Sequence, residues 1–453
     1  MSFERFDRYQ EDAFHAVTKE RKNVLITGPA GSGKSYLIQR LKKFFNGSYE
    51  SGTNARDKAR VTAMTGCAAL LLGKAQTFHK WSGMPVELLE QRFESENQRI
   101  KKLYDSISRK YAFKNWQNTQ VLIIDEASML NDKLFNIIHC LGVKIRYGVE
   151  KYLSEDIKPF GGIQLVLIGD LYQLPPIGSE FFFHSALFSK LMHQVIELKG
   201  RHRQKDTRFI QLLDRCRTAS LTQEDIQLCL SRLESNVSKN EMNGITPTRL
   251  MNKRSEVAKI NEDELAKLSG EIYHFTAKAV LNSNDSESIS NMKLAFLYKN
   301  STAPKELQLK IGAQVMVTFN LDENIVNGSQ GVVIDFDESR DRNGTPRYFP
   351  VIQLSNGADR VIKPIFIPHP EDSKTGMYQL PLMLSWAMTI HKSQGCTLDF
   401  VYINASTTFQ PGQIYVAMSR ARSLNSIIFE SFDPQKVQAS QDVTKFLQEY
   451  AIE

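Results

Sequence analysis

One short glycine-rich segment, GPAGSGKS from Gly28 to Ser35, carries the most specific chemistry in the sequence. It matches the pattern G-x-x-x-x-G-K-[ST], whose backbone N–H groups close on phosphate oxygens at the start of a helix. In this pattern Lys34 neutralises the outer phosphates and the Ser35 hydroxyl can hold Mg²⁺. The segment predicts a nucleotide site, with ligands drawn from Gly28, Pro29, Ala30, Gly31, Ser32, Gly33, Lys34 and Ser35.

Two acids and one glutamine could complete the chemistry of such a site. Asp125 and Glu126 follow the apolar residues VLII, and an acid at a strand end completes the Mg²⁺ shell in P-loop enzymes. Asp125 would be the metal-linked acid and Glu126 the general base. Gln173, in IGDLYQLPPI, can donate and accept hydrogen bonds, which suits sensing the terminal phosphate or positioning water. An ordinary strand-end acid pair and a surface glutamine are the alternatives.

A second polar segment, TIHKSQGCTLD from Thr389 to Asp399, lies far beyond the glycine-rich loop in sequence. It combines hydroxyls, a histidine, a lysine and a glycine. A small-molecule kinase would need only the first segment, so the second one requires a different explanation.

The elements around these segments indicate an open α/β sheet. Residues 23–27, NVLIT, form a short apolar run before the glycine loop, and the helical pattern KSYLIQRLKKFF follows it. Two further apolar runs, at 121–126 and 163–170, end in acids and are typical of buried parallel strands.

Changes in composition suggest how the chain is divided. The charged, helical stretch 84–114 is predicted to project from a first domain that covers 1–188. Short β-rich runs separated by Asn-Gly turns predict a small β-barrel-like insertion at 311–384. A second α/β domain would comprise 189–310 and 385–453.

Bulk composition sets broad limits on the protein class. The 453 residues carry a net charge of +7, which slightly favours polyanionic partners. Five scattered cysteines form no CxxC pair, so a reducing, intracellular compartment is expected. The sequence has no run of 18 apolar residues and no apolar signal region at the N-terminus. No membrane-spanning segment is therefore expected.

Taken together, the motifs resemble the PIF (petite integration frequency) family of superfamily-one DNA helicases. The resemblance rests on DEASML, PFGGIQLVLIGDLYQLPP, TIHKSQGCTLD and GQIYVAMSRARSL, which follow GPAGSGKS in this order, and it runs from about Gln10 to Leu424. It implies two RecA-like parallel-sheet domains with ATP and Mg²⁺ bound between them. It also implies 5′-to-3′ movement along single-stranded DNA.

The resemblance adds residues to the nucleotide site. Arg203 and Arg420 match family arginines that reach the γ-phosphate, and such arginine fingers increase the rate about 10³–10⁵-fold. Gln10 matches a glutamine that reads the adenine edge, and the pair Gln394 and Gly395 would approach the nucleotide. The family usually has an aromatic residue at the position of His202, so adenine stacking there is in question.

The same resemblance assigns a groove for single-stranded DNA. Hydroxyls and imidazole N–H groups would bond phosphates and a lysine would add charge, without reading base identity. Trp81 could stack on a base or belong to the core. The 84–114 stretch would act as a wedge, and the β-rich insertion would cover the groove. The predicted strand contacts are Thr65, Thr77, His79, Thr389, His391 and Lys392.

The leading hypothesis is an ATP-hydrolysing 5′-to-3′ helicase, expected to be a monomer, that acts on single-stranded and forked or partial-duplex DNA. One alternative is a DNA-stimulated translocase or remodelling ATPase that does not unwind. Another is a helicase subunit of a larger recombination or repair complex. A nucleotide-dependent binding switch is disfavoured, because Glu126, Gln173 and Arg420 together form a hydrolysis set that a switch does not need.

Overall fold

A computed structural model describes most of the chain, in two units. One comprises Met1–Ile210 with Ala439–Glu453, and the other Gln211–Gln438. No helix in the described ranges is long and apolar enough to cross a membrane. The described residues are 6–46, 59–72, 75–108, 110–149, 152, 154, 156–176, 178–200, 202, 206–237, 246–301, 303–322, 325, 327–340, 344–355, 357–369, 372–406 and 410–452.

Both units contain helices and strands. The helices are α1 (Arg8–Thr18), α2 (Lys34–Asn46), α3 (Gly66–Leu71), α4 (Phe78–Ser82), α5 (Val86–Glu90), α6 (Glu96–Ile107), α7 (Tyr111–Asn118), α8 (Asp132–Tyr147), α9 (Phe188–Leu191), α10 (Thr207–Arg217), α11 (Gln223–Ser231), α12 (Arg254–Lys267), α13 (Glu287–Asn300), α14 (Ile390–Ser393), α15 (Gln413–Ser419) and α16 (Gln441–Tyr450). The strands are β1 (Val24–Thr27), β2 (Ala59–Ala63), β3 (Gln76–Thr77), β4 (Val121–Asp125), β5 (Gln164–Gly169), β6 (Gln194–Glu197), β7 (Thr248–Met251), β8 (Tyr273–Thr276), β9 (Lys278–Val280), β10 (Glu306–Leu309), β11 (Gln314–Val317), β12 (Gln330–Arg340), β13 (Pro346–Leu354), β14 (Asp359–Val361), β15 (Ile365–His369), β16 (Asp372–Gln379), β17 (Leu382–Leu384), β18 (Ala387–Thr389), β19 (Val401–Asn404), β20 (Ile427–Ser431) and β21 (Ala451–Ile452).

A parallel sheet forms the centre of the first unit. Its described strands lie in the order β21-β6-β1-β5-β4-β2-β3, and every neighbouring pair runs parallel. All residues of β1, β4 and β5 are buried, as expected for strands covered by helices on both faces. The predicted order of strand, glycine loop and helix is confirmed by β1 and α2.

The charged stretch 84–114 is helical as expected, but it does not lie outside the core of the first unit. The apolar side of α6 is buried at Ile100, Leu103 and Ile107, and this side packs in the same cluster as α8. The polar composition reflects only the outer face of an amphipathic helix, so the expectation of a fully projecting insertion was wrong. Its role as a wedge stays a prediction.

The first unit also takes more of the chain than the expected range 1–188. Strand β6 pairs with β1, and the C-terminal strand β21 pairs with β6. The helix α16 buries Val443 and Phe446 in the core of the first unit. The last residues therefore complete this sheet rather than the second α/β domain, a long-range pairing that local pattern does not reveal.

The second unit combines a parallel sheet with antiparallel ones. Strands β18-β7-β19-β20 form its parallel sheet, and β14-β13-β12-β11-β17 form an antiparallel sheet. The predicted β-rich character of 311–384 is therefore present. However, β8 pairs with β10 and β9 pairs with β16, so the β-rich part begins at Tyr273 rather than at 311.

Candidate nucleotide and DNA site

Neighbouring strands bring the predicted nucleotide residues of the first unit together. Strand β1 lies between β6 and β5, and β5 lies next to β4. Thr27 at the end of β1 is directly opposite Gly169 at the end of β5. Loops at the carboxyl ends of parallel strands meet at one edge, where α/β proteins bind ligands. The glycine loop follows β1, and Gln173 follows β5. Asp125 is the last residue of β4, and Glu126 comes directly after it.

The glycine loop has the geometry of a phosphate cradle. Gly31 and Gly33 have φ values of 85° and 82°, in the left-handed region that favours glycine. A Cβ on Gly33 would overlap the side-chain amide of Gln10. The ammonium of Lys34 donates to the carbonyl oxygens of Gly28 and Pro29, at 2.7 and 2.9 Å. The lysine thus lies against the loop whose phosphate it is predicted to neutralise.

The two acids after β4 occupy contrasting environments. Asp125 is 9% exposed, and burial, reinforced by the neighbouring charge of Glu126, raises its pKa to about 7. The backbone N–H of Glu126 and the charge of Lys34 oppose that rise in pKa. Glu126 has a φ of 56°, a left-handed conformation that is uncommon for non-glycine residues and that Arg21, Phe160 and Ala219 also adopt.

Several buried oxygens near these strand ends have no hydrogen-bond partner among the described residues. They are the hydroxyls of Thr27, Ser32 and Ser128 and the Oε1 atom of Gln173. Unsatisfied buried polar groups are costly, so a cluster of them at one sheet edge indicates a polar ligand. Thr27 and Ser128 were not predicted. Their positions in the sequence could have identified them, because Thr27 directly precedes the glycine loop and Ser128 lies two residues after Glu126.

Gln10 is placed by a small polar network beside the glycine loop. It is 1% exposed, and its Nε2 atom donates to the carbonyl of Ser32 at 3.3 Å. Asp7 caps α1, and its N–H donates to the Oε1 atom of Gln10. The imidazole Nε2 of His202 lies 3.0 Å from a carboxylate oxygen of Asp7 and 3.4 Å from the Gln10 amide. The predicted adenine reader is therefore next to the loop, and His202 contacts it.

Of the two predicted arginine fingers, only Arg420 lies within the described residues. Arg203 lies outside the described residues. Arg420 is 2% exposed, and its guanidinium donates to the carbonyls of Val416 and Ser393 at 3.0 and 3.4 Å. It also donates to the Ser419 hydroxyl at 2.7 Å. Contact with a phosphate stays a prediction for both arginines.

The segment from Thr389 onward contains a second buried group that needs a partner. Gln394 is 2% exposed, and within the described part of the chain neither its Nε2 nor its Oε1 atom has a hydrogen-bond partner. Gly395 follows with a φ of 81°. A buried amide with both ends unsatisfied supports the prediction that Gln394 meets a polar ligand.

The three threonines predicted to contact DNA share one local structure. Thr65, Thr77 and Thr389 each begin a short helix, and each hydroxyl accepts a hydrogen bond from the backbone N–H three residues later, at 3.2, 3.4 and 3.1 Å. The same hydroxyl keeps its own hydrogen, which can be donated to a phosphate. Thr65 follows β2 and Thr77 ends β3, so in the first unit both lie on one side of the nucleotide residues.

The predicted basic contacts are half-buried. His79 and His391 lie in the first turn after their capping threonines, and Lys392 follows His391. Burial, with a smaller effect from Arg254, lowers the pKa of His391 below its usual range. The lowered pKa disfavours the charged imidazole, so His391 is suited to offering a hydrogen bond rather than a charge.

The base-stacking alternative for Trp81 is wrong, and the core alternative is confirmed. Trp81 is fully buried, with its ring 4.7 Å from that of Trp116. Both rings belong to the core on the α8 side of the sheet.

Asp399, at the end of TIHKSQGCTLD, connects this segment to the β-rich part. Its carboxylate accepts from the Ser355 hydroxyl at 2.6 Å and from the Gln330 N–H at 3.3 Å, and it pairs with Arg422. The end of the motif therefore has a structural role.

Three family models match successive parts of the chain. Residues 6–223 match the PIF1-like helicase model, 295–336 the 2B domain of DNA helicase Pif1, and 384–427 the UvrD-like helicase C-terminal domain. The ATP-dependent DNA helicase PIF1 of Danio rerio is 36% identical over 434 residues, which cover 94% of this chain and 61% of that protein. The chain thus spans about three fifths of the length of this curated relative.

Solved structures give the same result over nearly the whole chain. Pif1 helicase from Candida albicans is 30% identical with a TM-score of 0.72, covering 99% of this chain and 100% of that one. Bacteroides Pif1, 25% identical, matches in complex with ADP-AlF4 and bound to single-stranded DNA, with TM-scores of 0.74 and 0.61 and coverage of 99% and 97%. These matches confirm the α/β class with two RecA-like domains. The chain belongs to the PIF1-like helicase family.

Proposed function

We propose that this protein is an ATP-hydrolysing DNA helicase that moves along single-stranded DNA and separates duplex ahead of it. One observation carries the proposal. A single sheet edge in the first unit carries the residues predicted to bind nucleotide, at β1, β5 and β4, and the threonines predicted to contact the strand, at β2 and β3. This shared edge supports coupling between nucleotide state and strand grip.

ATP with Mg²⁺ is the proposed cofactor. The buried Asp125 carboxylate, whose pKa is raised by its surroundings, is a group that a cation would stabilise in the charged form. Asp125 and the Ser35 hydroxyl would hold Mg²⁺, which would neutralise phosphate charge when bound. The unsatisfied hydroxyls of Thr27, Ser32 and Ser128 are donors suited to phosphate oxygens or to water.

Glu126 is the proposed general base, and Gln173 the residue that positions the attacking water. Their strand-end positions beside the glycine loop support these roles. Arg420 and Gln394 are also proposed to act on the triphosphate. Arg420 donates to the Ser393 carbonyl, within the segment that contains the predicted strand contacts Thr389 and Lys392. This bond is the proposed link between the arginine and the strand contacts.

The proposed partner is single-stranded DNA next to a duplex fork, and the 5′-to-3′ direction rests on family membership. The helices of 84–114 as a wedge, and the β-rich part as a cover over the strand, are further parts of the proposal. A monomer is the proposed working unit.

The deciding experiment measures ATP turnover with and without single-stranded DNA, beside strand separation on forks that carry either a 5′ or a 3′ tail. We expect strong stimulation, and unwinding from the 5′ tail alone. The Glu126→Gln variant should bind ATP normally but turn over at least about 10²-fold more slowly. Stimulation without unwinding would instead identify a translocase or a subunit that needs a partner. No stimulation by DNA would contradict the assigned strand contacts.

A further inference from the structure

The C-terminal helix α16 is held firmly in the first unit, although it carries none of the predicted site residues. The Phe446 ring stacks on the ring of Phe183 with centroids 4.2 Å apart, and the strand β21 that follows the helix pairs with β6. The apolar side of the helix lies in the core cluster that also contains Tyr172, and its buried side chains there are Val443, Phe446 and Leu447. Packing and sheet pairing together fix the position of α16.

One polar bond connects this helix to the segment that carries Gln173. The Tyr172 hydroxyl lies 3.0 Å from the Thr444 hydroxyl, across 272 positions of sequence. The Thr444 hydroxyl donates to the Ser440 carbonyl at 3.2 Å, so its oxygen accepts from the Tyr172 hydroxyl. Tyr172 is 6% exposed, and a buried tyrosine hydroxyl needs a partner of this kind. The bond therefore fixes the end of the Tyr172 ring against α16.

Tyr172 and Gln173 are connected to each other through one carboxylate. The N–H of Tyr172 donates to one oxygen of Asp170 at 3.3 Å, and the side-chain amide of Gln173 donates to the other at 3.4 Å. Asp170 is fully buried, and its carbonyl accepts from the Gln173 N–H at 3.0 Å. The Oε1 atom of Gln173 accepts no hydrogen bond from the residues that the structure describes, so it is available to accept one from a water molecule.

We propose that Tyr172 and Thr444 are positioning residues for ATP hydrolysis, which makes α16 part of the hydrolysis site. Tyr172 is fixed at its hydroxyl by α16 and at its N–H by Asp170, and the same carboxylate orients the Gln173 amide. A shift of the Tyr172 ring would move the main chain beside Gln173 and misalign its amide with the attacking water. The inference rests on the proposed ATP hydrolysis and adds to it a helix from the C-terminal end of the chain.

Two nearly isosteric substitutions remove the bond. Thr444→Val removes the accepting hydroxyl, and Tyr172→Phe removes the donor. In each variant we expect DNA-stimulated kcat to fall about three- to tenfold, the effect of one neutral hydrogen bond, with KM for ATP within about twofold of the wild type. Thr444→Ser keeps the hydroxyl and should keep the wild-type kcat. The double variant should be no slower than the slower single variant, because both substitutions remove the same bond.

Hydrogen exchange of the full chain without ATP or DNA measures the positioning directly. In Thr444→Val, the N–H groups of Tyr172 and Gln173 should exchange about three- to tenfold faster than in the wild type, while exchange in β4 stays the same. Thr18→Val is the matched control, because Thr18 is also buried and its hydroxyl donates to the Phe14 carbonyl within α1. This control should leave both kcat and exchange in 170–173 unchanged.

The two readouts distinguish this inference from the proposed function. Faster exchange in Thr444→Val, with a wild type that shows no DNA-stimulated turnover, would contradict the helicase proposal alone, since α16 would still hold Tyr172. Unchanged exchange in Thr444→Val, or a wild-type kcat in either single variant, would overturn the inference. So would an equal loss of kcat in Thr18→Val or in Thr444→Ser, because that pattern indicates a general loss of stability.

Discussion

The guanidinium of Arg420 donates to the main-chain carbonyl of Ser393 at 3.4 Å, across 27 positions of sequence. This bond connects the helix α15 region, which carries the predicted arginine finger, to the segment that carries the predicted strand contacts. Further donors of the same group reach the Val416 carbonyl and the Ser419 hydroxyl. The planar fork of an arginine is needed to make these bonds together.

Replacing Arg420 with lysine should therefore impair two measurable properties. Lysine keeps the charge but cannot donate in several fixed directions, so buried carbonyls lose partners at a cost of about 1–3 kcal/mol. We expect lower thermal stability and a fall in DNA-stimulated ATP turnover of at least about 10²-fold. A lysine variant with wild-type turnover would exclude the proposed finger.

Removing the unsatisfied amide of Gln394 should stabilise the protein and impair activity. Gln394→Leu eliminates two buried polar atoms that lack partners, a gain of about 1–3 kcal/mol. Turnover should fall because the amide is proposed to act on the nucleotide. Thermal melting and ATPase assays on the same preparation measure both effects.

Gln330 provides the matched control. It is equally buried, but its amide donates to the Thr248 hydroxyl and accepts from the Phe400 N–H. Gln330→Leu should therefore lower the melting temperature. If both substitutions destabilise the protein to the same extent, Gln394 has a structural role instead.

The buried Asp125 should make the nucleotide-free protein less stable as pH rises. Its folded pKa of about 7 lies above the usual value of 3.8, so the folded state prefers the protonated form. Stability is therefore lost between about pH 4 and pH 7 and stays low above that range. Asp125→Asn cannot ionise and should melt at least about 4 °C higher at pH 8 without Mg²⁺, with the difference disappearing toward pH 4.

With Mg²⁺ and ATP at pH 8, the wild type should melt at a higher temperature than Asp125→Asn, because only the wild-type carboxylate can hold the metal. An asparagine variant that gained as much thermal stability from Mg²⁺-ATP as the wild type would contradict the assignment of Asp125.

The role of Thr77 in capping α4 should be separable from its predicted role in strand binding. Its hydroxyl accepts from the Lys80 N–H at 3.4 Å, a role that aspartate can also perform. Thr77→Asp should thus melt close to the wild type but bind single-stranded DNA about tenfold more weakly, because a carboxylate repels phosphate. Thr77→Ser should preserve both properties, and anisotropy titrations measure the affinities. Equal affinity for the aspartate variant would remove Thr77 from the contacts.

Lys392 should contribute one phosphate contact. Lys392→Ala is expected to reduce the slope of log K against log salt by about 0.7, the value for one contact with a single strand. Lys267→Ala is the control, since Lys267 is exposed and pairs with Glu264 at 2.8 Å. An unchanged slope in Lys392→Ala would show that this lysine does not bind phosphate.

Local patterns in the sequence predicted the residues of the candidate site. The glycine loop, the strand-end acids and the hydroxyl-histidine-lysine segment were identifiable because each function needs particular residue types at short, fixed spacings. Apolar runs predicted the central strands β1, β4 and β5 for the same reason, since burial on both faces requires continuous apolar residues.

Tertiary structure decided what depends on long-range pairing. The sheet order shows that β21 joins the first unit, and side-chain burial shows that Trp81 is a core residue and that the apolar side of α6 packs with α8. The unsatisfied groups at Thr27, Ser128 and Gln394 likewise become visible only when every possible partner has been placed around them. A residue's type gives its chemical capability, but its partners are set by contacts between distant parts of the chain.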